Sequence, residues 1–213
     1  YPRDLASDSA VLEKEGVDCL FHPAAGEMYA AGHRTFVEVL DLQDRLCGRT
    51  RPGHFRGVCT VVLKLFEIVG PDMAFFGWKD AQQVVILKKM VEDLNLPVEI
   101  IPLPLVRDAD GLALSSRNSY LSAEERRAAR ILGISLKEAA DRVSGGEVDS
   151  SSLIRGIRRR IEGEPLARID YVEIVDPADL SPVSRIDGEA LMAVAVSIGK
   201  TRLIDNMKVG VKR

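Results

Sequence analysis

The densest group of phosphate-binding side chains in the sequence is the run Ser115, Ser116, Arg117 and Asn118. Two hydroxyls, a guanidinium and an amide in four successive positions supply hydrogen-bond donors and a positive charge, which are what a phosphate requires. The same residue types are common in polar loops ahead of helices. The run therefore indicates an anion site without establishing one.

A second candidate is the stretch FFGWKDAQQ at residues 75–83. Gly77 would let a ligand approach the backbone closely, and Lys79 would neutralise phosphate charge. The stretch lies between a strand-like and a helix-like segment, where ligands bind in open α/β sheets and where free helix N–H groups favour anions. The alternative is a solvated surface turn in which Gly77 only makes the bend.

The third candidate is the stretch RTRPGHFRGVCTVV at residues 49–62. Arg51 and His54 flank a Pro-Gly turn, and the next helix begins with apolar residues that could wall a small pocket: Val58, Val61 and Val62. A histidine beside a turn is more often structural than catalytic, so both interpretations stay open. His22 and His33 have no partners at metal-ligand spacing, and we predict no protein-bound metal.

The composition predicts a folded protein and limits the class of molecule that these groups would bind. The chain has 213 residues, 46% of them hydrophobic, which is enough to bury a core in one large domain or two small ones. Its 29 basic and 32 acidic residues give a net charge of −3, so no general attraction to nucleic acid or an anionic membrane is expected. We therefore expect a small-molecule partner, no nucleic acid and no membrane.

The compartment is predicted from charge and cysteine usage. No run of about 18 apolar residues occurs, and charges are spread through the first twenty residues, so we expect neither a membrane span nor a secretory signal. Cys19, Cys47 and Cys59 form an odd set without CxxC spacing, which argues against a disulfide framework and a zinc site. We predict reduced, mostly buried thiols and a cytoplasmic protein.

Helical and strand-like segments alternate along the first half of the chain. In order, the pattern predicts a helix with Leu5, Val11 and Leu12 inward, a strand at 17–21, a helix at 57–69, a short buried strand at 73–76, a helix from Asp80 to about residue 94, and a strand at 98–101. Strands separated by single helices imply a parallel sheet wound in the Rossmann manner.

The pattern changes near residue 119. Ser122 and Glu125 form a capping-box pattern that predicts a helix to about Val143. A helix with Leu153, Ile154, Ile157 and Ile161 inward follows, and then strands at 169–175 and 191–198. We therefore predict an α/β fold with two domains: a partial Rossmann-like domain at residues 1–118 and a small α+β domain at residues 119–213.

Four motifs, in this order, resemble the signature stretches of pantothenate synthetases: RPGHF at 51–55, FGWKDAQQ at 76–83, LALSSRN at 112–118 and GKTRLIDN at 199–206. YPRDL at the start and VDCLFHPAAGEMY at 17–29 are similar to that family as well. The resemblance covers essentially the whole chain, and several specific motifs in the correct order make a strong signal.

The resemblance implies a fold and a reaction. The fold is a Rossmann-like nucleotidyltransferase core, related to class I aminoacyl-tRNA synthetases, with a C-terminal domain that covers the site as a lid. The enzyme is an ATP-dependent ligase of pantothenate biosynthesis that uses Mg²⁺. Pantoate attacks the α-phosphorus of ATP, releasing pyrophosphate, and the amine of β-alanine then attacks the pantoyl adenylate and expels AMP. A homodimer is implied.

The resemblance also assigns roles, motif by motif. The catalytic residues would be Lys79, Ser115, Ser116 and Arg117. The ATP site would comprise Gly77, Trp78, Lys79, Asp80, Val106, Leu114, Ser115, Ser116 and Arg117. Pantoate would be held by Gln83 and His54, with Val58, Val61 and Val62 around its gem-dimethyl group. Adenylyl transfer requires positioning and charge neutralisation on the phosphates, and these residue types suit that task.

Two departures from the family pattern qualify these assignments. Trp78 stands where a small polar or charged residue is expected, so the backbone of this position is the part that would serve ATP. The HxGH signature and a glutamine-bearing segment, which precede the YPR position in the family, are absent. At ~30 residues per βα unit, roughly 60–80 residues would be lacking. We therefore expect a truncated enzyme that does not turn over by itself.

Two other functions remain as alternatives. A non-catalytic nucleotide-binding or dimer-forming module would bind ATP without pantoate-dependent release of pyrophosphate. Another adenylyl-transferring enzyme of the same fold would use a different acid or a tRNA, and the acidic balance of the chain argues against tRNA.

Overall fold

The computed structural model describes residues 4–211 and divides the chain into two compact units, one ending at Thr35 and one beginning at Phe36. The first three residues of the YPRDL stretch and the last two residues of the chain lie outside the described part. The first unit holds helices α1 (Leu5–Lys14) and α2 (Ala25–Met28).

Two expectations for this first unit are wrong. Leu5 and Val11 are exposed, and α1 has no buried residue. The polar residues 7–9 (Ser, Asp and Ser) lie between its apolar residues, so no continuous apolar stripe forms. Residues 17–21 form no strand, because a strand requires a hydrogen-bonded partner and the described chain places none beside them.

The second unit contains the remaining helices and strands. In chain order they are α3 (His54–Val69), β1 (Met73–Gly77), α4 (Ala81–Asp93), β2 (Glu99–Leu103), α5 (Ala123–Ala129), α6 (Ile131–Ser144), α7 (Ser150–Glu162), β3 (Ala167–Val175), β4 (Glu189–Ile198) and β5 (Thr201–Gly210). Strands β1 and β2 pair in parallel, whereas β3, β4 and β5 form an antiparallel sheet in that order. This confirms the predicted α/β class. None of the helices within residues 4–211 has the length and apolarity to cross a membrane.

Three elements differ in detail from their predictions. Helix α3 starts earlier than residue 57, at His54, after a glycine with φ of 74° that only glycine adopts readily. Strand β1 is not buried, since Met73 and Phe75 on one of its faces are exposed. A short apolar run has the same sequence pattern whether one face or both are covered. The helix predicted to run to Val143 is divided into α5 and α6 at Arg130, which keeps near-helical angles.

The second unit has two hydrophobic cores that share strand β4. The first core packs α3, α4 and β2 residues together, and the second packs α5, α6 and α7 against the antiparallel sheet. Leu191 and Ala193 of β4 belong to the first core, whereas Met192 and Val194 belong to the second. Successive strand residues face opposite sides, so β4 is buried on both faces.

Candidate functional site

The turn between β1 and α4 carries the FGWKD residues. No atom outside its immediate chain neighbours lies within 4 Å of the point where a Cβ of Gly77 would stand, so the space beside this backbone is open. The Nζ of Lys79 lies 3.6 Å from Oδ2 of Asp80, and the Lys79 side chain is mostly buried. Asn206 of β5 donates from Nδ2 to the carbonyls of Trp78 at 2.9 Å and Lys79 at 3.0 Å. Hydrogen bonds from β5 therefore fix the backbone of this turn.

Trp78 is the one tryptophan of the chain, and its ring packs against Lys208. The Nζ of Lys208 lies 4.2 Å from the ring centroid, a cation–π distance. The indole is also partly buried against the first core. The Trp78 side chain thus has a packing role, while its carbonyl belongs to the turn.

Residues 106–114 form a small hairpin that leads into the serine and arginine run. The N–H of Leu114 donates to the carbonyl of Val106 at 2.9 Å, and both side chains are more than half exposed. The Oγ of Ser115 accepts the N–H of Arg117 at 3.3 Å and begins a 3-10 turn. Asn118 is buried and donates to the carbonyl of the hairpin residue Ala113 at 3.1 Å. Ser115, Ser116 and Arg117 therefore remain partly or fully exposed. The Asn118 amide is buried and stabilises the hairpin.

Strand β5 brings Arg202 to this run, a residue for which the sequence suggested no role. The Nη1 of Arg117 donates to the Arg202 carbonyl at 3.1 Å. The Arg202 guanidinium donates to Oδ2 of Asp170 at 2.6 and 3.0 Å and lies 3.7 Å from Sγ of Cys47, which is 3.2 Å from the Tyr171 hydroxyl. Burial acts to lower the pKa of Arg202. The hydrogen bonds to Asp170 and Cys47 act in the opposite direction, and the pKa is raised overall. Only its place within GKTRLIDN could have identified Arg202 beforehand.

His54, the first residue of α3, lies within the same charged region. Its pKa is lowered, first by burial and then by the positive charge of Arg51. Asp80 acts in the opposite direction, and Arg117 and Arg202 lower the pKa further. Burial, followed by Arg117, likewise lowers the pKa of Arg51. These interactions join residues from all four sequence motifs into one region.

The balance of charge in this region is positive. Its cations are Lys79, Arg51, Arg117 and Arg202, and its carboxylates are Asp80 and Asp170. Within residues 4–211 no group of three or more His, Cys, Asp or Glu side chains is arranged to hold a metal ion. The arrangement suits a polyanion such as a phosphate chain.

The two adjacent glutamines of the FGWKDAQQ motif have different surroundings. Gln82 is buried: its Oε1 accepts the Cys47 N–H at 3.0 Å, and its Nε2 donates to the carbonyls of Leu42 at 2.9 Å and Arg45 at 2.6 Å. Gln83, the predicted pantoate ligand, is half-buried one residue further along α4. Nothing in the sequence pattern selects Gln82, because its hydrogen-bond partners lie 35 or more residues away along the chain.

The predicted pantoate-side valines differ in burial. Val62 is buried in the first core, whereas Val58 and Val61 are half-buried and pack against that core. All three follow His54 on the same helix. Val58 and Val61 therefore retain surface for a ligand, and Val62 supports them.

Comparison with known proteins identifies the family. The family model for pantoate-beta-alanine ligase matches residues 1–208. The chain belongs to the pantoate–β-alanine ligase family. Among curated relatives, the pantothenate synthetase of Heliobacterium modesticaldum is 57% identical over 211 residues, which is 99% of this chain and 75% of that protein. The pantothenate synthetase of Pelotomaculum thermopropionicum is 55% identical over 99% of this chain and 74% of that protein.

Solved structures of ligases in this family share the fold. Pantothenate synthetase from Thermus thermophilus matches with a TM-score of 0.95 and 43% identity, over 99% of this chain and 76% of that chain. The pantoate-beta-alanine ligase from Francisella tularensis, complexed with beta-gamma ATP and beta-alanine, matches with a TM-score of 0.76 and 32% identity, over 97% of this chain and 70% of that chain. The family and enzyme class expected from the motifs are confirmed.

Proposed function

We propose that this member of the ligase family joins pantoate to β-alanine by ATP-dependent adenylation. A carboxylate oxygen of pantoate attacks the α-phosphorus of ATP, and pyrophosphate leaves. The amine of β-alanine then attacks the pantoyl carbonyl, AMP leaves with the electrons of the broken C–O bond, and the amine loses a proton to solvent. The products are pantothenate, AMP and pyrophosphate.

The main support for this proposal is the excess of positive charge in the region where the four motifs meet. The cations come one from each motif: Arg51, Lys79, Arg117 and Arg202. Lys79 and Arg117 would neutralise charge that grows on the phosphates as pyrophosphate leaves, and the hydroxyls of Ser115 and Ser116 would donate to phosphate oxygens. A carboxylate is already a nucleophile at neutral pH, so none of these groups has to act as a base. They are the catalytic residues of the proposal.

The remaining ATP contacts would come from the turn of residues 77–80 and the hairpin of residues 106–114. Space beside Gly77 admits a phosphate to the backbone, and the exposed apolar side chains of Val106 and Leu114 suit contact with a flat base. Trp78 would contribute its backbone. Mg²⁺ would enter bound to the phosphates of ATP as part of the substrate, since Mg²⁺ commonly keeps several waters and binds substrate phosphates. The half-exposed Asp80 would border the ATP site beside Lys79.

Pantoate would lie between α3 and the start of α4. Gln83 would hold its polar groups through the side-chain amide, and His54, neutral because its pKa is lowered by burial and by Arg51, would contact its polar end. Val58 and Val61 would cover the gem-dimethyl group, with Val62 behind them in the core. A cytoplasmic homodimer is part of the same proposal, and sedimentation equilibrium tests the dimer.

An AMP-release assay with ATP, pantoate and β-alanine each omitted in turn tests the proposed reaction. We expect pyrophosphate release to require ATP and pantoate, and AMP release to require all three substrates. Running the assay on residues 1–213 and on any longer natural polypeptide that contains them tests whether these residues turn over alone. ATP binding without pantoate-dependent pyrophosphate in either polypeptide would favour a nucleotide-binding module, and activity with another acid would favour a different adenylyl transferase.

A further inference from the structure

We propose that Asp205 and Asn206, two neighbouring residues of β5, position the two ATP-binding segments relative to each other. This inference rests on the proposed function. Both side chains are buried, and each bonds a different segment: Asn206 the turn of residues 77–80, and Asp205 the hairpin of residues 106–114. They are positioning residues, because they act through these segments and make no proposed contact with substrate.

The amide of Asn206 holds the turn by its backbone. Its Nδ2 donates to the carbonyls of Trp78 at 2.9 Å and Lys79 at 3.0 Å, so both amide hydrogens are used. These carbonyls immediately precede α4, where the chain leaves the sheet. Two donors from one buried side chain restrain the carbonyls on either side of the Lys79 N–H, and thereby the direction in which Lys79 leaves the backbone.

The carboxylate of Asp205 holds the hairpin through Arg107. Oδ2 accepts Nη1 of Arg107 at 2.8 Å and Oδ1 accepts Nη2 at 2.9 Å, a bidentate pair of the strong, directional kind. The same Nη1 donates to the Gly111 carbonyl at 3.0 Å and so also closes the hairpin. Because the Asp205 carboxylate is almost fully buried, removing its charge would leave Arg107 without its partner.

The position of these residues in the sheet explains why one strand can reach both segments. Successive side chains of a strand point to opposite sides, and Asp205 and Asn206 pair with Val194 and Ala193 in the middle of β4. The backbone between them is thus held by the sheet ladder. Phosphates bound between Lys79 and the Ser115–Arg117 run need a fixed separation of the two segments, which β5 supplies.

Trp78 makes the test possible, since this one tryptophan lies within the turn. ATP binding is measured by Trp78 fluorescence in Asn206→Asp, which keeps the size but not the donors, in Asp205→Asn, and in the less buried Arg107→Lys. Matched controls are Ser135→Ala, which removes a buried hydroxyl bonded to the Leu132 carbonyl, and Glu147→Gln, which removes a bidentate pair with Arg142. Melting curves confirm that each variant is folded at the assay temperature.

We expect the three positioning variants to bind ATP about tenfold more weakly or worse, with the controls within about twofold of wild type. In the turnover assay, run on whichever of the two polypeptides is active, the KM for ATP should rise while that for β-alanine stays near wild type. A folded Asp205→Asn or Arg107→Lys with wild-type affinity for ATP would overturn the proposal, and so would an equal loss in the controls. Wild-type protein that binds no ATP would instead defeat the proposed function, and this inference with it.

Discussion

Lys79 and Gln82 lie within one turn of each other and have opposite surroundings. The Lys79 ammonium lies 3.6 Å from the Asp80 carboxylate, in the same turn as the open space beside Gly77. The Gln82 amide is fully occupied by the loop of residues 42–47. The first side chain is therefore available for chemistry, and the second for holding the fold.

Replacing Lys79 with alanine is expected to lower the rate of pantoate-dependent pyrophosphate release by about 10²-fold or more, because a charge contact made in the transition state is lost. The measurement is a single-turnover pyrophosphate assay on the active polypeptide. Lys89→Ala is the matched control, since Lys89 pairs with Glu92 and Asp93 on the outer side of α4. Near-normal turnover of Lys79→Ala would remove Lys79 from the mechanism.

The two glutamines should respond differently to the same substitution. Gln83→Ala should mainly raise the KM for pantoate, because it removes binding that exists before the chemical step. Gln82→Ala should cost about 2–3 kcal/mol of stability, since it leaves one buried N–H and two carbonyls without their partner. Substrate-dependence curves and urea denaturation of both variants separate the two effects, and an unchanged pantoate dependence in Gln83→Ala would count against its role.

The imidazole of His54 is expected to titrate below its ordinary pKa, because burial and Arg51 disfavour the charged form. Arg51→Gln should move this pKa upward. Because folding lowers the pKa, the unfolded chain binds the proton first as the pH falls, so wild type should lose stability relative to His54→Gln below pH of about 6.5. NMR titration, with His54→Gln assigning the resonance, measures the pKa; a pKa above the ordinary value would contradict the geometry.

At the scale of elements, the loop of residues 46–50 is held by close packing as well as by Gln82. A Cβ on Gly48 would clash with the carbonyl of Gln43. The loop also carries Cys47, which contacts Arg202 and Tyr171. Because of the clash, position 48 accepts only glycine unless the backbone shifts.

Gly48→Ala is expected to destabilise the protein by about 1–3 kcal/mol, because a backbone shift that relieves the clash would disturb the hydrogen bonds of Gln82 to the backbone of residues 42–47. Gly57→Ala is the control: apart from its chain neighbours and the backbone of its own helix, no atom lies within 4 Å of its Cβ position, and it occupies helix α3. This second change should stabilise by roughly 0.5–1 kcal/mol. Urea denaturation gives both values, and equal effects of the two substitutions would show that the Gly48 contact is not restrictive.

At the scale of the whole second unit, β4 joins two cores that the sequence pattern assigns to separate domains. The predicted boundary near residue 119 falls between the helices of the first core and those of the second. Yet β3 and β4 contribute residues to both cores, including Val175 and Leu191 to the first. Two cores that share a buried strand should unfold together.

Leu153→Ala in α7 tests this coupling. Leu153 is fully buried in the second core, so its truncation should cost about 2–5 kcal/mol. The unfolding midpoint seen by Trp78 fluorescence, a probe packed on the first core, should fall by the same amount as that seen by circular dichroism. Ile134→Ala, at an exposed position of α6, is the control. Separate transitions would show that residues 1–118 and 119–213 fold independently.

The sequence by itself determined the family, most of the alternation of helices and strands, and the residue types of the candidate anion site. Motifs such as LALSSRN and FGWKDAQQ are local, and apolar periodicity follows from helix and strand geometry alone. Helix α4 and strands β2 and β3 lie within two residues of their predicted starts for this reason. Local signals of this kind do not require knowledge of what packs against each segment.

Only the tertiary structure decided which residues of a motif face the site and which support it. Gln82, Arg202, Asp205 and Asn206 depend on partners 32 to 155 residues away, and no local spacing encodes such contacts. The prediction that Met73 and Phe75 are buried is wrong for the same reason, because burial depends on what covers a strand and not on its own residues. The positive charge of the candidate site follows from the residue types of its motifs, whereas its geometry depends on contacts between distant segments.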